Sequence, residues 1–128
     1  MGELIAGHVR VAEVAALAPG EAKTFTFDRD GETVEAFVLR VPGEDDVLVA
    51  YVNRCAHVAF DLDMGTGRFW SPKTGRIYCM THGARYEPRT GECDAGPCVG
   101  ARLTKLAVRR DGRDALVEIP AQGPETAR

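Results

Sequence analysis

Apolar residues along this chain come in short runs and alternations, separated by clusters of Gly, Pro, Asp and Thr, and almost nowhere recur at the three-to-four spacing of a helix. That pattern predicts strands near His8–Ala12, Lys23–Asp28, Thr33–Arg40, Val47–Asn53, Gly67–Trp70, Arg76–Cys79, Arg85–Glu87, Leu103–Arg109 and Ala115–Ile119. The separators carry turn chemistry: Pro72-Lys73-Thr74-Gly75, Pro88-Arg89-Thr90-Gly91 and Asp111-Gly112. Pro42 to Asp46 reads as the acidic turn of a hairpin. Ala12–Leu17 offers one or two helical turns, stopped by Pro19-Gly20, and is too short to organise a fold. The tail from Pro120 to Arg128 has neither period nor apolar content and reads as flexible. The fold class expected is all-β.

A chain of 128 residues and 13.8 kDa suits one domain, placed at 1–119, and leaves no room for a second catalytic one. With 45% hydrophobic and 27% charged residues it has the composition of an ordinary globular protein. The net charge of −3 gives no excess of Lys and Arg to neutralise phosphates, which argues against nucleic acid and modestly favours a basic redox partner. No stretch approaches a membrane span, and Met1–Arg10 lacks a basic start followed by an apolar run. A cytoplasmic protein is expected. In that setting four cysteines point to metal or redox chemistry before disulfides.

Spacing decides where that chemistry sits. Cys55-Ala56-His57 and Cys79-Met80-Thr81-His82 are two compact donor pairs, the second starting 22 positions after His57, and each follows a predicted strand. Two strand-end loops brought together by a sheet can aim four donors at one point. Thiolate and imidazole suit iron–sulfur clusters and zinc alike, so ligand type leaves both open. Against a structural zinc, each arm mixes Cys with His, Cys-x-His is tighter than the usual zinc arms, and the domain is long enough to fold without a metal staple.

Cys-x-His followed by Cys-x-x-His-Gly, here closing on His82-Gly83, resembles the signature of the Rieske family, and the chain looks like the soluble Rieske ferredoxins that feed bacterial ring-hydroxylating oxygenases. The resemblance runs from Val9-Arg10-Val11 through Gly20-Glu21-Ala22 and both ligand motifs to Gly96-Pro97 and the final strands. It implies an antiparallel β-sandwich with a small cluster-binding subdomain over about 47–97. It further implies one [2Fe–2S] cluster, with Cys55 and Cys79 on the inner iron and His57 and His82 on the outer. Gly96-Pro97 matches the loop that covers the cluster, with Pro97 as a rigid lid. Two thiolates leave the oxidised centre neutral where four would leave it anionic, so adding an electron costs less and the potential rises, to roughly −150 to +300 mV across such centres.

In the family's high-potential members two hydroxyls near the second motif donate to sulfur; here the Ser position is Ala84, while the Tyr position is kept as Tyr86. A potential low in the Rieske range and sensitive to Tyr86 is expected, unless Tyr86 only packs in its strand. The respiratory members carry an extra Cys in each ligand loop, whereas this chain has Phe60 and Thr81 there. The implied function is one-electron transfer from an NAD(P)H-dependent reductase to a terminal oxygenase, with no small-molecule substrate and no catalysis of its own. The alternatives are a small subunit permanently bound to an oxidoreductase, such as a nitrite reductase, and a zinc-stapled module. His8 reads as an ordinary strand or surface residue, Cys93 and Cys98 as reduced, partly buried thiols, and Phe69, Trp70 and Tyr78 as sheet packing. Asp28-Arg29-Asp30 and Glu44-Asp45-Asp46 read as solvated hairpin tips, and Gly65-Thr66-Gly67 is too short for a nucleotide loop.

Overall fold

The computed structural model describes residues 3–5, 7–29, 31–43, 47–54, 62, 66–79, 83–96 and 99–119. Twelve strands are found among them: β1 (Glu3–Ile5), β2 (His8–Val11), β3 (Ala22–Arg29), β4 (Glu32–Val41), β5 (Val47–Val52), β6 (Trp70–Ser71), β7 (Arg76–Tyr78), β8 (Arg85–Tyr86), β9 (Cys93–Ala95), β10 (Lys105–Leu106), β11 (Val108–Asp111) and β12 (Asp114–Glu118). They form three four-stranded antiparallel sheets, ordered β1-β2-β12-β11, β10-β5-β4-β3 and β6-β7-β8-β9. The all-β expectation holds.

The middle sheet is covered on both faces, which is why its two long strands read as continuous apolar runs. Successive side chains of a strand point to opposite faces. On β4, Ala36 and Val38 join Phe25, Phe27, Ala50, Val52 and Leu106 in a core shared with Val9, Val11, Ala115 and Val117 of the first sheet. Phe37, Leu39 and Val41 turn the other way, with Val49 and Tyr51, into a second core shared with Ile77, Cys79, Ala84, Tyr86 and Cys93. Phe37 stacks on Phe69 there, ring centroids 3.9 Å apart. The sandwich therefore has a third layer.

Residues 101–111 stitch the three layers together. Cys93 N donates to Ala101 O and Leu103 N to Gly91 O, Val52 N donates to Thr104 O, β10 pairs with β5, and β11 pairs with β12. The single strand expected over Leu103–Arg109 is thus two, parted at Ala107, because Leu106 belongs to the middle sheet and Val108 to the first. Other expectations shift less. The helical turns at Ala12–Leu17 are one 3-10 turn, Val14–Ala16, with Val14 buried. The strand near Gly67–Trp70 is Trp70–Ser71. β3 runs through Arg29, so the first hairpin tip is narrower than Asp28-Arg29-Asp30. β1 and β9 were not expected at all. The acidic turn at Glu44–Asp46 and the tail 120–128 lie outside the described residues.

Candidate metal centre

Three segments that follow strands of the second core hold or adjoin the positions the sequence singles out. The first departs at Asn53, after β5. Its carboxamide Oδ1 accepts the N–H of Leu62 at 2.8 Å, and Leu62 is fully buried in the second core. The second departs at Cys79, after β7. Cys79 N donates to Ala84 O at 2.9 Å and Gly83 N donates back to Cys79 O at 2.9 Å, so backbone alone closes it. Gly83 holds φ at +74°, a left-handed conformation that favours glycine. The third begins at Gly96, after β9, where a Cβ would stand 2.7 Å from Ala84 Cα. Only a glycine lets the third segment lie that close against the second.

Cys79 is a wholly buried thiol, and Ala84 and Tyr86 are equally buried in the same core. Their neighbours Phe37, Leu62, Phe69 and Ile77 carry no charge. In such surroundings a fixed dipole or thiolate acts on a cofactor with little screening. Thr74 Oγ1 is the one buried side-chain oxygen or nitrogen without a hydrogen-bond partner among the described residues, so Tyr86 Oη is not an orphan. The nearest charges in sequence are Arg54, which precedes Cys55, and Arg85, which follows Ala84; both are exposed. Asp94 is engaged by Arg76 Nε at 2.8 Å.

The turn between β8 and β9 is tied down from the middle sheet. Tyr51 Oη donates to Pro88 O at 2.7 Å, and Gly91 lies so close to the Tyr51 ring that a Cβ would meet it at 2.8 Å. Burial pushes the Tyr51 phenol well above its usual range, with Glu87 adding to the shift and Arg102 opposing it. It stays a neutral donor at any ordinary pH.

Of the residues the sequence singles out, Cys79 and Tyr86 are brought into one core; Cys55, His57, His82 and Pro97 lie outside the described residues. Among the described residues no three His, Cys, Asp or Glu converge. Cys93 is buried on β9, its thiol donating to Ala95 O at 3.2 Å, while Cys98 lies outside the described residues. His8 is half-buried on β2, and Trp70 rests against Gly20. Asn53 was not singled out by sequence. The available signal was a polar residue ending the apolar run Val47–Val52, two places before Cys55.

What is present fits an iron–sulfur cofactor: a buried thiol at a strand end, uncharged packing behind it, and glycine-permitted close approach of the flanking segments. Comparisons with known proteins agree. The family model described as Rieske [2Fe-2S] domain matches residues 7–119. The ferredoxin of carbazole 1,9a-dioxygenase from Nocardioides aromaticivorans IC177 is 34% identical, with a TM-score of 0.68, over 90% of this chain and 100% of that one. A complex of reduced oxygenase and oxidized ferredoxin in carbazole 1,9a-dioxygenase matches at 23% identity and TM-score 0.66, over 91% of this chain and 94% of that one. The plasma membrane Rieske protein PetC3 from Synechocystis PCC 6803 matches at 22% and 0.59, over 86% and 98%; at these identities the last two speak for the fold. None of the curated proteins compared matches the chain. A family model spanning nearly all the strands, and a ferredoxin 34% identical over 90% of the chain, place this chain in the Rieske [2Fe-2S] domain family, with a Rieske-type [2Fe–2S] cluster as its cofactor.

Proposed function

We propose that the chain is a one-electron carrier that takes electrons from an NAD(P)H-dependent reductase and delivers them to a terminal oxygenase. The observation that carries this reading is the 34% identity, across 90% of the chain, to the ferredoxin of a carbazole dioxygenase. That ferredoxin is matched over its whole length, so this chain has a counterpart for all of it. In this reading Cys55 and Cys79 hold the inner iron and His57 and His82 the outer one, within a cluster-binding subdomain of about 47–97 in a single domain of 1–119. In the same reading Pro97 would serve as a rigid lid on the cluster. The cytoplasm is the compartment that fits a nicotinamide-fed donor; among the described residues no helix is long and apolar enough to cross a membrane.

When bound, the cluster would supply a one-electron couple, held by Cys55, His57, Cys79 and His82. The protein's own residues supply the rest. Cys79 would hold iron from within an apolar core, which keeps water away and preserves the strength of nearby dipoles. The Gly96–Ala84 contact holds the third segment against the second. The direct test is stopped-flow mixing of the dithionite-reduced protein with an oxidised ring-hydroxylating oxygenase. Bleaching of the oxygenase centre in step with re-oxidation of this chain is expected. Reduction by a flavin reductase without any onward transfer to an oxygenase would count against the proposal.

A further inference from the structure

Asn53 is the one polar or charged residue among the described residues that is buried, at 6% exposure. Its backbone N–H donates to Glu35 O at 2.8 Å, which ties it to β4. Its Oδ1 accepts from Leu62 N at 2.8 Å. Leu62 is wholly buried beside Phe37, Phe69 and Cys79. Asn53 and Leu62 are thus both buried, nine residues apart, and one carboxamide joins them. Cys55 and His57 lie between them in sequence.

A buried backbone N–H needs an acceptor, and Leu62 finds its own in a side chain. That choice has a chemical logic. A carboxamide oxygen accepts strongly without bringing a charge, whereas a carboxylate here would set a negative charge in an uncharged core next to a centre that must accept an electron. The amide orientation is fixed as well, because only the oxygen can accept from Leu62.

We infer that Asn53 is the positioning residue of the first ligand pair: by joining the two ends of the stretch that holds Cys55 and His57, it sets where both donors stand. The inference rests on the proposed assignment of those two residues as ligands. Asn53 touches no iron in this account; it acts through the backbone of its neighbours.

The test uses the full, cluster-loaded chain with Asn53→Leu, which keeps the volume and removes the acceptor, Asn53→Ser, which is too short to reach, and Asn53→Asp, which keeps an acceptor oxygen. Val38→Ala, in the other core, reports general destabilisation. Iron release to a chelator, the width of the EPR lines of the reduced protein and the urea midpoint are measured together. Asn53→Leu and Asn53→Ser should release iron about tenfold faster than the parent, the change expected when one hydrogen bond is lost, and broaden the EPR lines. Asn53→Asp, which keeps the acceptor but buries a charge, should hold the parent's line width at a lowered urea midpoint, and Val38→Ala should lower the urea midpoint without broadening. If Asn53→Leu does not fold, Asn53→Ser carries the same expectation. Parent-like release and line width in Asn53→Ser would overturn the inference, as would equal acceleration in Val38→Ala at a matched loss of midpoint. A parent-like cluster signal in Cys55→Ser would instead overturn the ligand assignment, so the two failures are distinguishable.

Discussion

The two segments that bear the proposed ligands are closed in different ways. Between Asn53 and Leu62 the ends are joined by a side chain; between Cys79 and Ala84 they are joined by backbone, with Gly83 in a left-handed conformation. A side-chain closure can be removed by one substitution that leaves the strands alone. A backbone closure cannot, and it is vulnerable only where a glycine is required. The second segment is also buttressed from outside, by Gly96 against Ala84, while the first depends on the burial of Leu62. The first arm should therefore be the weaker grip on the cluster and the second the more rigid.

The comparison breaks first at the cysteines. Cys55→Ser and Cys79→Ser should each abolish the cluster, whereas Cys93→Ser should keep it, since Cys93 lies on β9 with its thiol turned to Ala95 O. Iron and acid-labile sulfide counts decide this. An empty Cys93→Ser protein would show that the thiols have been assigned wrongly.

Next come the glycines of the second arm. Gly96→Ala would press a Cβ to 2.7 Å from the Ala84 backbone at φ +99°, and overpacking of this kind costs about 1–3 kcal/mol. Gly83→Ala meets nothing within 4 Å at φ +74°, so only conformational strain of about 1 kcal/mol is expected. Urea titration of both variants should rank Gly96→Ala as the more destabilised. The reverse order would mean that the third segment yields easily and does not buttress the second.

Tyr86→Phe probes the electrostatics of the same arm. Tyr86 is fully buried in the core that holds Cys79, and a hydroxyl donated to sulfur would favour the reduced state. Its loss should lower the potential by roughly tens of millivolts with the cluster intact, on the scale of one hydrogen bond to a charged group. An unchanged potential in a fully loaded variant would leave Tyr86 a packing residue.

The smallest effect lies far from both arms and serves as their control. Asp114 accepts from Glu13 N at 3.0 Å and from Arg10 Nη1 at 3.1 Å, and these bonds, the backbone one foremost, hold its carboxyl below the usual carboxylate range. A depressed folded-state pKa means that the unfolded chain binds the proton more readily. The stabilisation is full above the ordinary carboxylate range and is lost as pH falls through the depressed value. Asp114→Asn should flatten the acid limb of a pH–stability curve slightly and leave the visible spectrum of the cluster unchanged. An altered spectrum would tie the outer sheet to the site in a way that the layered cores do not suggest.

Much of this was legible in the chain itself, for reasons that differ by layer. β4 and β5 announce themselves because both faces are buried, which writes Ala36–Leu39 and Val47–Val52 as uninterrupted apolar runs. The ligand pairs are legible because their chemistry needs particular residue types at short spacing. Cys93-Asp94-Ala95 has no strand propensity to speak of; it is a strand because β8 offers it a partner, across a register shift between Arg85 and Tyr86. The break at Ala107 is invisible for a similar reason. Leu106 and Val108 are both apolar, and only the layering assigns them to different sheets. Asn53 escaped because a single polar residue after a strand is ordinary in sequence, and its meaning appears only when Leu62, nine residues on, is seen to donate to it.

The measurement that tests the central claim most directly is the metal and sulfide content of the purified chain, together with the EPR spectrum of its dithionite-reduced form. The account predicts about two irons and two acid-labile sulfides per chain, no zinc, and a rhombic spin-one-half signal with an average g below that of all-cysteine clusters. A colourless protein holding one zinc and no sulfide would contradict it.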